Sequence, residues 1–170
     1  MAAKILNLLC VFFSVLAVLL CGCEHGEKDT AVNTDFMADF TAEYNNIKLG
    51  GSVINTRQDY FAADISSPET LAGLSAKYEG GVLSLTRNGV GATADEAFIP
   101  SDSFFSIMHE ILREAGEGKG IAESDSALKL PLSCGKAEMT FGKSGFPLSA
   151  EIPARGFSVT FSNCMPAGKQ

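Results

Sequence analysis

Histidine is nearly missing from this 170-residue chain, which has only His25 and His109. Nucleophilic catalysis needs a base held against the nucleophile. His25 falls in a small, polar stretch, and His109 falls in a helical pattern with no cysteine at useful spacing. Both read as solvated surface residues, as does Glu110. The clusters of His, Cys or carboxylate that metal sites need are also lacking, and no carboxylate pair stands out for glycoside chemistry. The expectation is a protein that is not an enzyme and that holds no metal or cofactor. Positive charge is scarce as well: 13 Lys and Arg stand against 20 Asp and Glu, for a formal net charge of −7. Without a basic stripe, the sequence argues against a nucleic-acid partner, and it offers anionic lipid headgroups no attraction. Gly118-Lys119-Gly120 has neither the spacing of a phosphate loop nor a strand leading into it, so it reads as a flexible linker.

What the chain has in abundance comes first. After Lys4, the run from Ile5 to Leu20 is interrupted only by Asn7, Cys10 and Ser14. As a helix it would be roughly 24 Å long, short of the about 30 Å of a bilayer core, and it suits a secretory signal peptide. The segment ends in Leu20-Cys21-Gly22-Cys23, which resembles the lipobox of bacterial lipoproteins. Cys23 fits, with Gly22 before it and Leu20 three back; Cys21 follows the bulky Leu20 and fits poorly. The resemblance implies cleavage between Gly22 and Cys23, diacylglycerol on the Cys23 sulfur, and often an acyl group, such as palmitate, on the new amine. Two or more chains hold a protein to a membrane stably where one does not. The expected location is the extracytoplasmic face of the cell membrane, anchored by lipid.

Residues 1–22 are thus expected to be a signal peptide, 23–33 a flexible tether, 34–165 a single domain and 166–170 a tail. The mature chain of about 150 residues can build a real core. Besides Cys23 it keeps Cys134 and Cys164. An export route permits a disulfide, but the strand pattern puts these two at opposite ends of a meander, so idle thiols are expected.

In residues 35–49, Phe36, Ala38, Phe40, Ala42 and Tyr44 alternate with Met37, Asp39, Thr41, Glu43 and Asn45. That is strand periodicity, although Phe36, Phe40 and Tyr44 are also at helix spacing. Asp39, Thr41, Asn45 and Asn46 are mediocre helix formers, which favours a strand. Short strands follow, with Glu79-Gly80-Gly81 and Asn88-Gly89 as hairpin turns. One helix is expected over 101–116, capped by Ser101 or Asp102, with Phe104, Phe105, Met108, Ile111 and Leu112 on one face. Residues 117–126 read as a mobile acidic loop. A four-strand meander ends the chain, with Phe157, Val159 and Phe161 on one face of its last strand. The sum is an α+β fold, mostly antiparallel: nine or ten short strands form a curved sheet, an incomplete β-barrel. Its apolar concave face is the place to bury the helix.

The Phe36-x-Ala38-x-Phe40 opening, the SSPETLAGLSAKYEGGVLSL segment with Pro68 and Leu71, and the order strand, helix, loop, meander resemble the LolA/LolB superfamily of bacterial lipoprotein carriers and receptors. Within it, GGVLSLTRNGV and GKSGFPLSAEI resemble LolA-like lipoproteins of Gram-positive spore formers, including GerS-type germination lipoproteins that act beside a cortex-modifying amidase. The resemblance implies an incomplete barrel, lidded by helices, whose hollow accepts acyl chains. This chain differs in having one clear helix, no tryptophan, and Ser66-Ser67 where a basic residue commonly precedes the proline.

Two functions follow. One is binding of lipid or an acyl chain, with Phe36, Phe40, Tyr44, Phe157, Val159 and Phe161 as walls and Phe104, Phe105 and Met108 on the lid. The other is a non-enzymatic scaffold or regulatory partner of an envelope or spore-cortex enzyme, in which the same residues fill a closed core.

Overall fold

The computed structural model describes residues 32–56 and 59–168. The first half of the sheet is β1 (Phe36–Tyr44), β2 (Ile47–Thr56), β3 (Tyr60–Ser67), β4 (Ser75–Glu79), β5 (Val82–Arg87) and β6 (Val90–Asp95). A 3-10 turn (Glu96–Phe98) leads to the helix α1 (Phe104–Gly116). The second half is β7 (Ile121–Ser124), β8 (Ala127–Leu132), β9 (Gly135–Phe141), β10 (Pro147–Ile152) and, after a second 3-10 turn (Pro153–Arg155), β11 (Phe157–Pro166).

These strands make one antiparallel sheet of 11 in the order β6-β5-β4-β3-β2-β1-β11-β10-β9-β8-β7. Each half is a meander, and β1 paired with β11 is the seam between them. β6 and β7 are the two free edges, so the sheet is open. The helix touches both halves: Phe104 packs on Phe40 of β1 and Phe157 of β11, and His109 packs on Phe61 of β3 and Tyr78 of β4. One helix can reach all of these only if the sheet curls round it. The expected α+β architecture, an incomplete barrel with one amphipathic helix on its concave face, is the architecture found.

The alternation in β1 works as expected: Phe36, Ala38, Phe40 and Ala42 are buried while Asp39, Thr41 and Glu43 are exposed. The 35–49 stretch is nevertheless two strands. Asn45 and Asn46 have φ of 51° and 63° and form a two-residue turn, which asparagine tolerates better than other side-chain-bearing residues. Asn88 and Gly89, at 52° and 78°, form the expected hairpin turn. The helix starts later than expected because Ser103 is its cap: its hydroxyl accepts from the Ser106 N–H. Phe104, Phe105, Ile107, Met108, Ile111, Leu112 and Ala115 form a broad buried stripe. The acidic loop expected over 117–126 holds β7, in which Ile121, Ala122 and Ser124 pair with β8. All four residues of β7 are exposed, so it has no alternating apolar face to announce it.

β2 bends at Gly50-Gly51, where its register with β3 shifts. A Cβ at Gly51 would overlap the Asp64 carbonyl oxygen and lie 3.0 Å from Phe40 Cε1. Only glycine lets the two backbones approach this closely.

Candidate functional site

The residues expected to wall a hollow do come together, and they do so in contact with the helix. Phe36, Phe40, Phe157 and Phe161 are at most 4% exposed. Phe36 meets Phe161 edge-on at 5.7 Å, and Phe104 lies 6.0 Å from Phe40, 5.9 Å from Phe157 and 6.2 Å from Tyr44. Phe105 and Met108 are buried in the same cluster, and Tyr44 packs against it partly exposed. The Tyr44 hydroxyl donates to the Asp102 carbonyl oxygen, which fixes the entry to the helix. In this arrangement the aromatic side chains fill the concave face.

A space lies at the other end of the helix. A cleft of about 420 Å³ is bordered by the end of β2 (Asn55, Thr56), Asp59 just before β3 and Tyr60 at its start, Glu96, and the C-terminal half of α1 with the residues after it (His109, Leu112, Arg113, Gly116, Glu117, Lys119). The cleft is polar. Asn55, itself buried, donates its side-chain N–H to the Thr34 carbonyl oxygen at 2.7 Å and ties the first described residues to β2. Arg113 Nη1 donates to Glu96 Oε1 at 3.0 Å. Lys119 Nζ stands 3.1 Å from Glu114 Oε1 and 2.6 Å from Glu117 Oε2.

His109, expected on the surface, is only 4% exposed. Its ring stacks on Tyr78 at 4.2 Å and 16° and sits 5.6 Å from Phe61. The helical pattern places it beside the apolar stripe, where a solvated histidine is expected. What overrides this is the curl of the sheet, which brings β3 and β4 against that flank. The signal available in the sequence was the pair Phe61 and Tyr78, inward positions of neighbouring strands. Glu110 is partly exposed and accepts from both the N–H and the hydroxyl of Ser133, at 2.7 and 2.8 Å, so it ties the helix to the β8–β9 turn.

Burial pushes the His109 pKa below the ordinary histidine value; Glu96, Asp59 and Glu110 pull it up and Arg113 down, without reversing it. The neutral ring is therefore favoured in the folded protein. The unfolded chain binds the proton first, near pH 6.5, so stability is lost as the pH falls from there towards the folded value. We expect the urea midpoint to drop between pH 7.5 and 5.5, and His109→Gln to flatten that part of the profile. An unchanged slope in the variant would assign the drop to other groups.

Cys134 and Cys164 are free. Cys134 lies in the β8–β9 turn, where its carbonyl accepts from Arg155 Nε at 3.1 Å; Cys164, inside β11 rather than after it, donates its thiol to the Pro147 carbonyl oxygen at 3.5 Å. Arg155 follows the end of β10 and Pro147 begins it, so the two thiols sit at opposite ends of that strand. Burial raises both pKa values, which keeps the sulfurs protonated and unreactive. Cys23 and His25 lie outside the described residues. Among the described residues, no group of three or more His, Cys, Asp or Glu could hold a metal ion, and no helix is long and apolar enough to cross a membrane.

No protein-family model matches the chain, and no curated protein matches it. Among solved structures, the chain is similar to a DUF1329 family protein from Desulfovibrio piger, with 11% identity and a TM-score of 0.42 over 81% of this chain and 90% of that one. It is also similar to a LolA superfamily protein from Nitrosomonas europaea, with 10% identity and a TM-score of 0.48 over 85% of this chain and 92% of that one.

Proposed function

We propose that this chain is an extracytoplasmic lipoprotein, acylated at Cys23, that works with its shell closed as a non-enzymatic scaffold or regulatory partner of an envelope protein. The observation that carries the closed shell is the packing of α1: Phe104, Ile107, Met108, Ile111 and Leu112 are each at most 8% exposed against the concave face. Burying a large apolar side chain is worth about 1.5–3 kcal/mol. Lifting the helix would forfeit on the order of 10 kcal/mol, comparable with the whole stability of a typical domain. The surface remains for function. Val32 is buried in the core and the Asn33 N–H donates to the Gly145 carbonyl oxygen at 2.9 Å, so the packed domain begins before residue 34; a shorter tether ahead of Val32 would let it reach a partner beside the membrane.

A second reading, binding of an apolar ligand beneath a lifted helix, has one observation in its favour. The interior is rich in aromatic and aliphatic surface, and the polar contacts that hold the lid lie at its margins: Ser106 to Tyr78 at 2.8 Å, Glu110 to Ser133, Arg113 to Glu96 at 3.0 Å, and Tyr44 to the Asp102 carbonyl at the entry to the helix. A buried methylene is worth about 0.8 kcal/mol. Only an acyl chain of a dozen or more carbons would repay the opening. Phe36, Phe40, Tyr44, Phe104, Phe105, Met108, Phe157 and Phe161 would then line its path.

Native mass spectrometry of the full-length product, taken from membranes in mild detergent, separates the two. A mass equal to the processed chain plus its anchor supports the closed shell; an additional stoichiometric lipid supports the carrier. Cys23→Ser should release the protein from the membrane. Retention after a high-salt wash, with an unchanged mass, would remove the lipoprotein assignment itself.

A further inference from the structure

One free edge of the sheet is guarded against further pairing and the other is not. β7 has four residues, carries Glu123 and shifts register against β8 between Ala122 and Ser124. Shortness, charge and a bulge each keep an edge from acting as a pairing template. β6 has six residues, all exposed, and runs against β5 with no shift from Val90 to Asp95. It has no lysine and no proline, and its one charged side chain, Asp95, is turned back to accept from the Ala97 N–H.

The backbone groups that β6 leaves to solvent can be named. The two-residue turn at Asn88-Gly89 closes on the Arg87–Val90 pair, and the Glu96 N–H donates to the Gly81 carbonyl oxygen at 2.9 Å. Antiparallel pairs alternate between bonded and non-bonded, so the even-numbered residues from Val90 to Glu96 bond towards β5. The N–H groups of Gly91, Thr93 and Asp95 therefore face outward, with the carbonyls of Gly91 and Thr93. The side chains of Ala92 and Ala94 lie opposite Leu85 and Leu83, so β6 carries the apolar concave face, uncovered, to the margin of the sheet.

The two ends of β6 decide what fits this edge. Among the described residues, the two most exposed large apolar side chains are Phe98, 85% exposed, and Val90, 76% exposed. Val90 opens β6 and Phe98 stands just past its end. A second β6, laid antiparallel about a two-fold axis at Thr93, brings each Val90 beside the Glu96–Phe98 turn of the other copy. In that register Thr93 faces Thr93, Gly91 faces Asp95 and Ala92 faces Ala94. The two Thr93 residues exchange a pair of hydrogen bonds, each Asp95 N–H meets a Gly91 carbonyl, and no like charges stand opposite each other. A two-fold contact needs one self-complementary patch, and this strand with its flanking turn is such a patch.

We infer that the chain forms a two-fold dimer through β6, joining two sheets edge to edge. The contact is small against the about 800 Å² per partner of a standard interface, so the dimer is reversible. It does not depend on which envelope role the domain plays.

The test uses the full-length chain in detergent, with micelles in excess over protein so that anchors do not force copies together. Analytical ultracentrifugation over a hundredfold range of concentration should show a reversible dimer. Thr93→Pro removes an outward N–H and spares the bonds to β5; it should weaken the dimer at least tenfold with the far-UV circular dichroism unchanged. In the proposed register the two Thr93 Cα atoms are about 5.5 Å apart, within disulfide reach, so Thr93→Cys should link the copies on mild oxidation. Thr86→Cys, also exposed but one strand further in, should link them no more than the wild type does. A monomer at every concentration, a dimer indifferent to Thr93→Pro, or equal linking in the two cysteine variants would each overturn the assignment.

Discussion

Gly51→Ala should be among the most damaging single-methyl changes in this protein, costing about 3 kcal/mol or more. The added Cβ would overlap the Asp64 carbonyl oxygen on β3 and press to 3.0 Å from the Phe40 ring on β1. The first of these is backbone in a paired strand, so it cannot swing away as a side-chain tip would. Relief requires β2 and β3 to part where their register already shifts between Gly50 and Gly51. With a urea dependence of about 1–3 kcal/mol per molar, the midpoint should fall by 1 M or more. Gly142→Ala supplies the comparison. A Cβ there meets nothing closer than the 3.7 Å of Leu148 Cδ2, an ordinary contact. Equal midpoints for the two variants would mean that the close approach at Gly51 has no energetic consequence.

Ile111→Asp should undock the helix. Ile111 is 1% exposed in the centre of the α1 stripe, and among the described residues no lysine or arginine is buried. An unpaired carboxylate in that position must either stay protonated or pull the helix into water. The expected cost, on the order of 4 kcal/mol, is a large share of a typical domain's 5–15 kcal/mol. Because the strands pair mainly with each other, the β signature in far-UV circular dichroism should outlast the helix contacts. An apolar dye should then light up on the uncovered concave face, and cleavage should concentrate in the segments flanking α1. Ile111→Val, expected to cost about 1 kcal/mol, should do none of this. Wild-type dye binding and protease resistance in Ile111→Asp would show that the helix is not what closes the shell.

Much of the architecture could be read because its elements carry their own signals. The alternation in β1, the Asn88-Gly89 turn and the apolar stripe of α1 are local patterns, each with one physical interpretation. The terminal meander follows from the turn residues between its strands. What could not be read depended on contacts between distant segments. β7 owes its existence to pairing with β8 rather than to an apolar face of its own. The Asn45-Asn46 turn was hidden by alternation that runs on through it. His109 is buried because β3 and β4 curl over the flank of the helix, and helical spacing contains no information about that curl. The polar cleft is assembled from β2, β3, the turn after β6, and α1, so no contiguous motif could announce it. The aromatic residues were picked out correctly as inward-facing; whether inward means a filled space or a hollow depends on where the helix comes to rest.

The seam between β1 and β11 joins the earliest strand of the domain to its latest. While the chain is being made, every other strand can find a neighbour close by in sequence, but one margin of β1 must wait until the final ten-residue strand has appeared. Until then the emerging polypeptide exposes the Phe36–Tyr44 margin as an unsatisfied pairing template. The last strand is therefore a timing device: a product truncated before Phe157 would retain both hairpin stacks in principle and yet lack the hydrogen-bonded seam that makes them one sheet.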